Sequence, residues 1–210
     1  MRTLLDLVVP IECAGCRISG TPWCARCARS IAGPPIQVHP RTDPGVPCWA
    51  LSHYRGPARQ AVLAAKERNR RDLARPLGFA LARGLAELRA PHRPLILVPS
   101  PSRSAAARRR GGDPVLRCAR IAAQSLSSCQ VLPCLRVWWG VRDSAGLTAR
   151  ERDRNLRGRV SAVPLPARAV DAQVVLVDDV LTTGATVSAC ARALIAAGTR
   201  LDGVFVTCAG

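Results

Sequence analysis

Two adjacent aspartates, Asp178 and Asp179, stand where an apolar run meets a hydroxyl-rich loop in the stretch VVLVDDVLTTGATVSAC (174–190). Neighbouring carboxylates repel one another unless a cation or a hydroxyl-rich group lies between them. Carboxylate oxygens suit the vicinal hydroxyls of a sugar, either directly or through a hydrated metal ion. The pair therefore predicts a ligand site. The alternative is an ordinary strand–turn–helix with solvated aspartates.

The loop that follows the aspartates has the composition of a phosphate site. Backbone N–H groups in such a loop, and at the start of the next helix, can donate to phosphate oxygens, and threonine hydroxyls add further donors. The loop lacks the Gly-Lys-Ser/Thr ending of a Walker A motif and the glycine spacing of a dinucleotide site. The candidate ligand-binding residues are Thr182, Thr183, Gly184, Ala185 and Thr186.

Four cysteines near the N-terminus have the spacing of a structural zinc site, C-x2-C-x7-C-x2-C. Each C-x2-C pair directs two thiolates at one point, and two pairs supply the four soft ligands of a tetrahedron with no position open to substrate. Chance cysteines or a redox pair are the alternatives. The predicted zinc ligands are Cys13, Cys16, Cys24 and Cys27. We expect the other six cysteines to be small buried hydrophobes.

Lys66 is the only lysine among 31 basic residues. A compact ammonium can contact a phosphate or a leaving oxygen where a planar guanidinium would not fit, so Lys66 is a catalytic candidate, with an ordinary surface lysine as the alternative. Ser100 and Arg103 lie in the loop after an apolar strand, where backbone amides can face a pyrophosphate. The alternative is that this segment is an ordinary loop with no ligand.

Alternating apolar runs and helical patterns predict an α/β fold with a parallel sheet flanked by helices, in which ligands bind at the carboxyl ends of the strands. Asp113 and Pro114 are expected to cap one helix. Strands are expected at 48–54, near 129–138, at 174–178 and at 203–208, and the segment 95–102 is expected to be a short buried strand that enters a loop. Helices are expected at 57–70, 73–90, 115–126 and 185–198.

The chain divides into two predicted units: an N-terminal helix with a zinc-ribbon-like module (1–35) and a larger domain (46–210), joined by a proline-rich linker at 30–47. The first ten residues have a short, interrupted apolar run, unlike a signal peptide, and no run approaches a membrane span. We therefore expect a cytoplasmic protein. The net charge of +17 favours a polyanionic partner. A base-composition bias of the genome would explain the use of arginine rather than lysine, but not the excess of basic over acidic residues.

The segment VVLVDDVLTTGAT resembles the phosphoribosyl pyrophosphate (PRPP) loop of type I phosphoribosyltransferases. The resemblance implies that Asp178 and Asp179 bind the ribose 2- and 3-hydroxyls, that residues 182–186 wrap the 5-phosphate, and that Mg²⁺ holds the pyrophosphate. Type I enzymes also place a mobile lid over the ligand. The arginine-dense stretch 142–159 is expected to be that lid, although a surface helix with ion pairs is the alternative.

A four-cysteine module ahead of such a domain resembles the ComF family of competence proteins over essentially the whole chain. Tyr54-Arg55-Gly56 before Lys66, LVPSPSRSAAARRRGG and GLTARERDRNLRG are similar to segments of that family, the last matching at Leu147, Arg152 and Asn155. The resemblance makes Arg152 a second catalytic candidate. The chain departs from the family at 110–114, which reads Arg-Gly-Gly-Asp-Pro, and at Ser144, where a glutamine is common.

Two functions follow as hypotheses. The first is a Mg²⁺-dependent phosphoribosyltransferase of the ComF type, linked to DNA uptake in natural transformation. The second is a non-catalytic protein that senses PRPP or a nucleotide and whose basic surface contacts single-stranded DNA or competence and DNA-processing proteins. Aromatic residues make up only 3% of the chain, so few side chains are available to stack on the bases of single-stranded DNA. A scaffold with a vestigial site is a third and weaker alternative.

Overall fold

The computed structural model describes residues 11–102, 112–137 and 159–210, and the account below concerns those ranges. They form a mixed α/β fold around a six-stranded sheet. Its strands, in spatial order, are β1 (Ile36–Val38), β2 (Cys48–His53), β8 (Gly203–Ala209), β7 (Gln173–Leu181), β3 (Leu95–Pro99) and β4 (Cys129–Val131). Five of these strands run parallel, and β1 pairs antiparallel with β2 at one edge.

Helices connect the parallel strands and cover both faces of the sheet. The first described helix, α1 (Ala25–Ala28), is a single turn. The longer described helices are α2 (Gly56–Glu67), α3 (Ala74–Leu88), α4 (Pro114–Gln124) and α5 (Ala185–Ala196). Short 3₁₀ turns lie at Arg29–Ile31, Arg71–Leu73 and Ala167–Ala169. No described helix has the length and apolar character needed to cross a membrane.

Alternate residues of the central strand β7 enter two separate cores. Val175 and Val177 pack with α2, α3 and α4 on one face, which we call the α2 face. Val174 and Leu176 pack with α5 on the other, the α5 face. This division follows from the period-two alternation of a strand, and both faces are apolar because helices cover both. It also sets the side on which each polar residue at the end of β7 emerges.

A second, two-stranded antiparallel sheet lies on the α5 face, formed by β5 (Leu135–Val137) and β6 (Val160–Ala162). The sequence pattern predicts one strand near 129–138. The segment does contain extended chain, but as two short strands of different sheets rather than one strand. Pro133 lies between them and has no N–H for a strand ladder, so the chain leaves the main sheet after Val131.

The cysteine module packs against the α2 face. Ala14 and Ile31 belong to its core, and the guanidinium of Arg83 donates to the carbonyls of Ile31 and Gly33 at 2.8 and 2.9 Å. Arg70, just after α2, donates to the carbonyl of Glu12 at 3.0 Å. The segment predicted as a linker contains β1, so residues 36–38 belong to the main sheet.

Most other predicted elements are present with adjusted ends. Helix α2 stops at Glu67 rather than continuing to residue 70, because Asn69 takes a left-handed conformation with φ 54°. Strand β3 ends at Pro99, and β7 runs three residues beyond Asp178. The mixed α/β class, the mostly parallel sheet and its flanking helices are confirmed.

Candidate functional site

Asp178 and Asp179 lie near the carboxyl end of β7, between β3 and β8 in the interior of the sheet. The strand continues through the pair, and its last residue, Leu181, pairs with Ala209 of β8. Because adjacent strand residues point to opposite faces, the two carboxylates emerge on different sides of the sheet. The side chain of Asp178 lies on the same side of the sheet as Val174 and Leu176, the α5 face, and that of Asp179 lies on the α2 face.

Asp178 is buried, with 8% of its surface exposed, and a hydrogen-bond network holds it. The hydroxyl of Ser100 donates to its Oδ1 at 2.6 Å, and the backbone N–H of Asp179 donates to the same oxygen at 2.8 Å. Ser100 follows β3, the strand beside β7, and its own N–H donates to the carbonyl of Val177. The sequence placed Ser100 among the ligand residues, and the structure brings it to the acidic pair.

The pKa of Asp178 is raised to about 7: burial is the largest cause and the charge of Asp179 adds to it, while Lys66 and the hydrogen bonds to Asp178 oppose the shift. A carboxyl that titrates near neutral pH changes charge easily when a cation or a hydroxyl-bearing ligand arrives. The site therefore carries less negative charge than two free aspartates would give.

Lys66 lies in the last turn of α2 and reaches the acidic pair from the α2 face. Its Nζ is 3.2 Å from Oδ1 and 3.1 Å from Oδ2 of Asp179. Burial lowers the pKa of Lys66, but the charges of Asp179 and Asp178 outweigh burial and the net shift is upward, so the ammonium stays charged. The side chain of Lys66 is 43% exposed, which leaves the ammonium accessible beside the carboxylates.

The predicted phosphate loop forms a tight connection between β7 and α5. Gly184 adopts a left-handed conformation (φ 85°), and α5 begins at the next residue. Thr182 and Thr186 are exposed, whereas Gly184 and Ala185 are buried, so the two threonines are the accessible part of the loop. The N–H of Ala185 donates to Thr183 Oγ1 at 3.4 Å. The open N-terminus of a 12-residue helix lies directly behind the loop, as anion binding requires.

A segment predicted to be a linker contacts this loop. The N–H of Thr42 donates to the carbonyl of Thr183 at 2.8 Å, and the hydroxyl of Ser188 in α5 donates to the carbonyl of Asp43 at 3.3 Å. Ser188 and Asp43 are 145 positions apart in the chain, and the contacts involve backbone groups of 42–43. Because any residue but proline supplies such groups, no side-chain pattern could have identified this segment.

Asp113 has a role beyond the predicted helix cap. Its Oδ1 accepts from the N–H groups of Val115 and Leu116, as a capping residue does, and its Oδ2 accepts from the N–H of Ser102 at 2.9 Å. The carboxylate thus joins the loop after β3 to the start of α4. The remaining predictions at this site lie outside the described residues: Arg103, Arg152, the lid at 142–159 apart from its last residue, and the departure at Ser144.

The four predicted zinc ligands come together. The Sγ atoms of Cys13, Cys16, Cys24 and Cys27 all lie within 4.8 Å of one another, and those of Cys16 and Cys24 are 3.7 Å apart. A tetrahedron with Zn–S bonds of about 2.3 Å has an S–S edge of about 3.8 Å, so the cluster fits such a metal. Burial raises the pKa of Cys13, but backbone hydrogen bonds from Cys24, Cys16 and Gly15 outweigh burial and lower it to about 6.

The other cysteines fit the prediction only in part. Cys48, Cys190 and Cys208 are buried, whereas Cys118, Cys129 and Cys134 are partly exposed. Burial raises the pKa of Cys208 to about 12 and that of Cys48 to about 11, so both remain protonated thiols that pack as apolar groups.

Comparison of the sequence with models of known protein families finds no match, and comparison with curated proteins finds none either.

Proposed function

We propose that this chain is a phosphoribosyltransferase-like protein of the ComF type that binds PRPP. The observation that carries the proposal is one arrangement at the carboxyl edge of the sheet. An acidic pair on a central parallel strand is followed directly by a hydroxyl-rich loop at a helix N-terminus, with Lys66 bound to the second aspartate. Open α/β sheets bind ligands at this edge.

Each part of this arrangement matches one part of PRPP. The ribose hydroxyls are assigned to the acidic pair, with the carboxylate of Asp179, on the side of the accessible Lys66, as the direct acceptor. The N–H groups and hydroxyls of residues 182–186 hold the 5-phosphate at the positive end of α5. Lys66 supplies a compact cation for the pyrophosphate, and Ser100 keeps Asp178 oriented by its 2.6 Å hydrogen bond.

Mg²⁺ belongs to this proposal as a companion of the pyrophosphate. Aspartate oxygens are hard donors of the kind that Mg²⁺ binds directly or through its waters, so Asp178 and Asp179 fit the ion. When bound, Mg²⁺ would neutralise charge on the pyrophosphate. The chain's own contribution is to orient the ribose, to hold the 5-phosphate and to place the Lys66 ammonium beside the leaving group.

The reaction we propose is attack of an acceptor nitrogen on C1 of the ribose, with the C1–O bond to pyrophosphate breaking and the electron pair leaving on pyrophosphate. Arg103 and Arg152 are further candidates for contacts with that group. The cysteine cluster lies apart from this chemistry. With four thiols it fills a tetrahedral coordination sphere, and we assign it a structural zinc ion.

A second candidate function is binding without turnover, in which the same pocket senses PRPP or a nucleotide while the surface contacts single-stranded DNA or DNA-processing partners. The net charge of +17 favours it, because a basic surface attracts nucleic acid through its phosphates. The two candidates share the pocket and differ in whether pyrophosphate is released.

The test is calorimetric titration of PRPP into the zinc-loaded protein with and without Mg²⁺. We expect Mg²⁺-dependent binding with a free energy on the order of 8 kcal/mol, that is, micromolar affinity. Asp179→Asn should abolish binding while the fold is retained. Asp171→Asn, which removes an exposed carboxylate shortly before β7, is the matched control and should bind like the wild type. Unchanged affinity in Asp179→Asn would refute the site.

Pyrophosphate release in the presence of a panel of nitrogenous bases then separates the two candidates. Release that depends on one base supports transferase activity. PRPP binding with no release supports the sensing function, and affinity for single-stranded DNA that falls steeply with salt would add the nucleic-acid partner. A folded, zinc-loaded protein that binds no PRPP in either condition refutes the transferase and the sensing of PRPP, and moves the second candidate to binding of DNA or a partner protein.

A further inference from the structure

We propose that the connection between β1 and β2 (39–47) is a fixed brace that positions the phosphate loop, with the backbone N–H of Thr42 as its central contact. The inference rests on the proposed function, because it assigns a new part to the same site. It concerns a segment whose sequence looks like a linker.

The brace has more residues than are needed to connect the end of β1 to the start of β2. Val38, at the end of β1, pairs with Cys48, the first residue of β2, so the two ends lie at the amino edge of the parallel strands. Connections within hairpins typically have about two to five residues. The intervening residues instead reach Thr183, which follows the carboxyl end of β7, and the Thr42 N–H donates to its carbonyl at 2.8 Å. The additional length spans the sheet to meet the loop.

A second contact holds the brace to the helix behind the loop. The hydroxyl of Ser188, in the first turn of α5, donates to the carbonyl of Asp43 at 3.3 Å and accepts from Arg192 at 2.7 Å. Ser188 is buried, with 2% of its surface exposed. The Asp43 carboxylate in turn accepts from the N–H of Gly45 at 2.8 Å, which stabilises the turn. The brace therefore contacts both the loop and the start of the helix whose N-terminus faces the anion.

Gly184 shows how closely the two segments approach. A Cβ added there would lie 2.7 Å from Cβ of Pro40 and would overlap the carbonyl oxygen of Thr42. Gly184 is buried under the brace, while Thr182 and Thr186 on either side of it are exposed. One side of the loop is thus covered by protein backbone, and the other side is accessible to a phosphate group.

The physical effect of such a brace is preorganisation. A loop that must gather its N–H groups around an anion loses conformational entropy on binding, and this loss weakens the affinity. A loop already held at Thr183 and Gly184 avoids much of that loss. The brace should therefore act on affinity for the 5-phosphate part of the ligand more than on the stability of the sheet.

The experiment compares the full-length, zinc-loaded wild type with Thr42→Pro, which removes the donating N–H, and Thr42→Ser, which keeps it. Hydrogen exchange at the amides of 182–186 reports the loop without any ligand. Titration with PRPP reports affinity, and inorganic pyrophosphate, which lacks the ribose 5-phosphate, serves as the control ligand. Ser188→Ala, which removes the contact with Asp43, is a second variant in case Thr42→Pro does not fold.

Loss of one hydrogen bond of ordinary strength should weaken PRPP binding about fivefold in Thr42→Pro, speed exchange at 182–186, and leave pyrophosphate binding unchanged. Thr42→Ser should restore the wild-type values, and Ser188→Ala should shift them in the same direction as Thr42→Pro. Wild-type exchange and affinity in a folded Thr42→Pro, or in Ser188→Ala if only that variant folds, would overturn the brace. If the wild type binds no PRPP, the proposed function is overturned. The brace is still tested by exchange without ligand, and it is overturned if exchange at 182–186 in a folded Thr42→Pro equals that of the wild type.

Discussion

At the scale of single residues, the site is governed by the different surroundings of two neighbouring carboxylates. Asp178 is buried among hydrogen-bond donors, and Asp179 is paired with an accessible lysine. This difference was not visible in the sequence, in which the two aspartates look equivalent. It arises because successive strand residues face different layers, and the layers became known only from the packing of α2 and α5.

Asp178→Asn is expected to stabilise the protein increasingly as pH rises. The folded state holds a proton on Asp178 up to a pKa of about 7, whereas the unfolded chain releases it near pH 4, so the stability due to this proton is full below about pH 4 and is lost as pH rises through 7. Asparagine keeps the acceptor oxygen without the charge. Thermal unfolding should show little difference from wild type near pH 4.5 and a gain on the order of a few kcal/mol at pH 8. A difference independent of pH would contradict this assignment.

Lys66→Met should weaken PRPP binding about tenfold, because it removes one charge-assisted contact with the ligand and leaves Asp179 without its cation. Lys66→Arg should not restore full affinity, since a planar guanidinium cannot replace a compact ammonium. Arg68→Met, two residues along and exposed, removes the same charge from the surface and serves as the control. Equal losses in Lys66→Met and Arg68→Met would indicate general electrostatics rather than a specific contact.

At the scale of elements, Asp113 shows how one side chain joins two segments. It caps α4 through two backbone N–H groups and accepts a third hydrogen bond from Ser102, in the loop after β3. The Asp-Pro pair was sufficient to predict the cap, because capping is local in sequence. The bond to Ser102 depends on how α4 returns to the sheet, and no local pattern encodes that.

Asp113→Ala should reduce the free energy of unfolding by about 1–2 kcal/mol through loss of the cap. Asp113→Asn should retain the cap but lose the bond to Ser102, because an amide nitrogen cannot accept from an N–H. Denaturant unfolding separates the two contributions. A smaller loss in Asp113→Asn than in Asp113→Ala is the expected order, and the reverse would contradict the assignment of the two oxygens.

Gly84 permits α3 to lie close to the sheet. A Cβ there would be 2.5 Å from the ring of Phe205 and 2.8 Å from Leu51, both in the core of the α2 face. Although alanine favours a helix interior by about 1 kcal/mol, overpacking a core typically costs about 1–3 kcal/mol. Gly84→Ala is therefore expected to lower the midpoint of denaturant unfolding. A raised midpoint would show that the core accommodates the added methyl group with little loss of packing energy.

At the scale of the whole molecule, the order of the elements was predictable and their contacts were not. Apolar runs and helical patterns predicted the α/β class, because these periodicities are local. The edge strand β1 was missed because it has three residues and lies in a proline-rich segment. The split at Pro133 was missed because one apolar run covered both strands. The cysteine spacing correctly predicted that four thiols meet, since each pair is preorganised by its own turn.

Removal of the metal should affect more than the cysteine module. The module packs near the start of α2, where a Cβ on Gly15 would be 2.9 Å from Pro57, and Arg70 binds it just after the end of that helix. We expect one zinc ion per chain by elemental analysis, and a thermal midpoint lowered by several degrees after chelation or in Cys13→Ser. The partly exposed Cys129, changed to serine, is the control. Full stability without metal would refute a structural zinc.

The lengths of the outermost strands have a consequence for behaviour at high concentration. Both edges of the described six-stranded sheet, β1 and β4, are only three residues long, whereas β7 in the interior has nine. An edge strand recruits a strand from another chain through its unpaired N–H and C=O groups. Edges this short offer few such groups, so the longest and most apolar strands of the sheet are kept away from intermolecular pairing and aggregation.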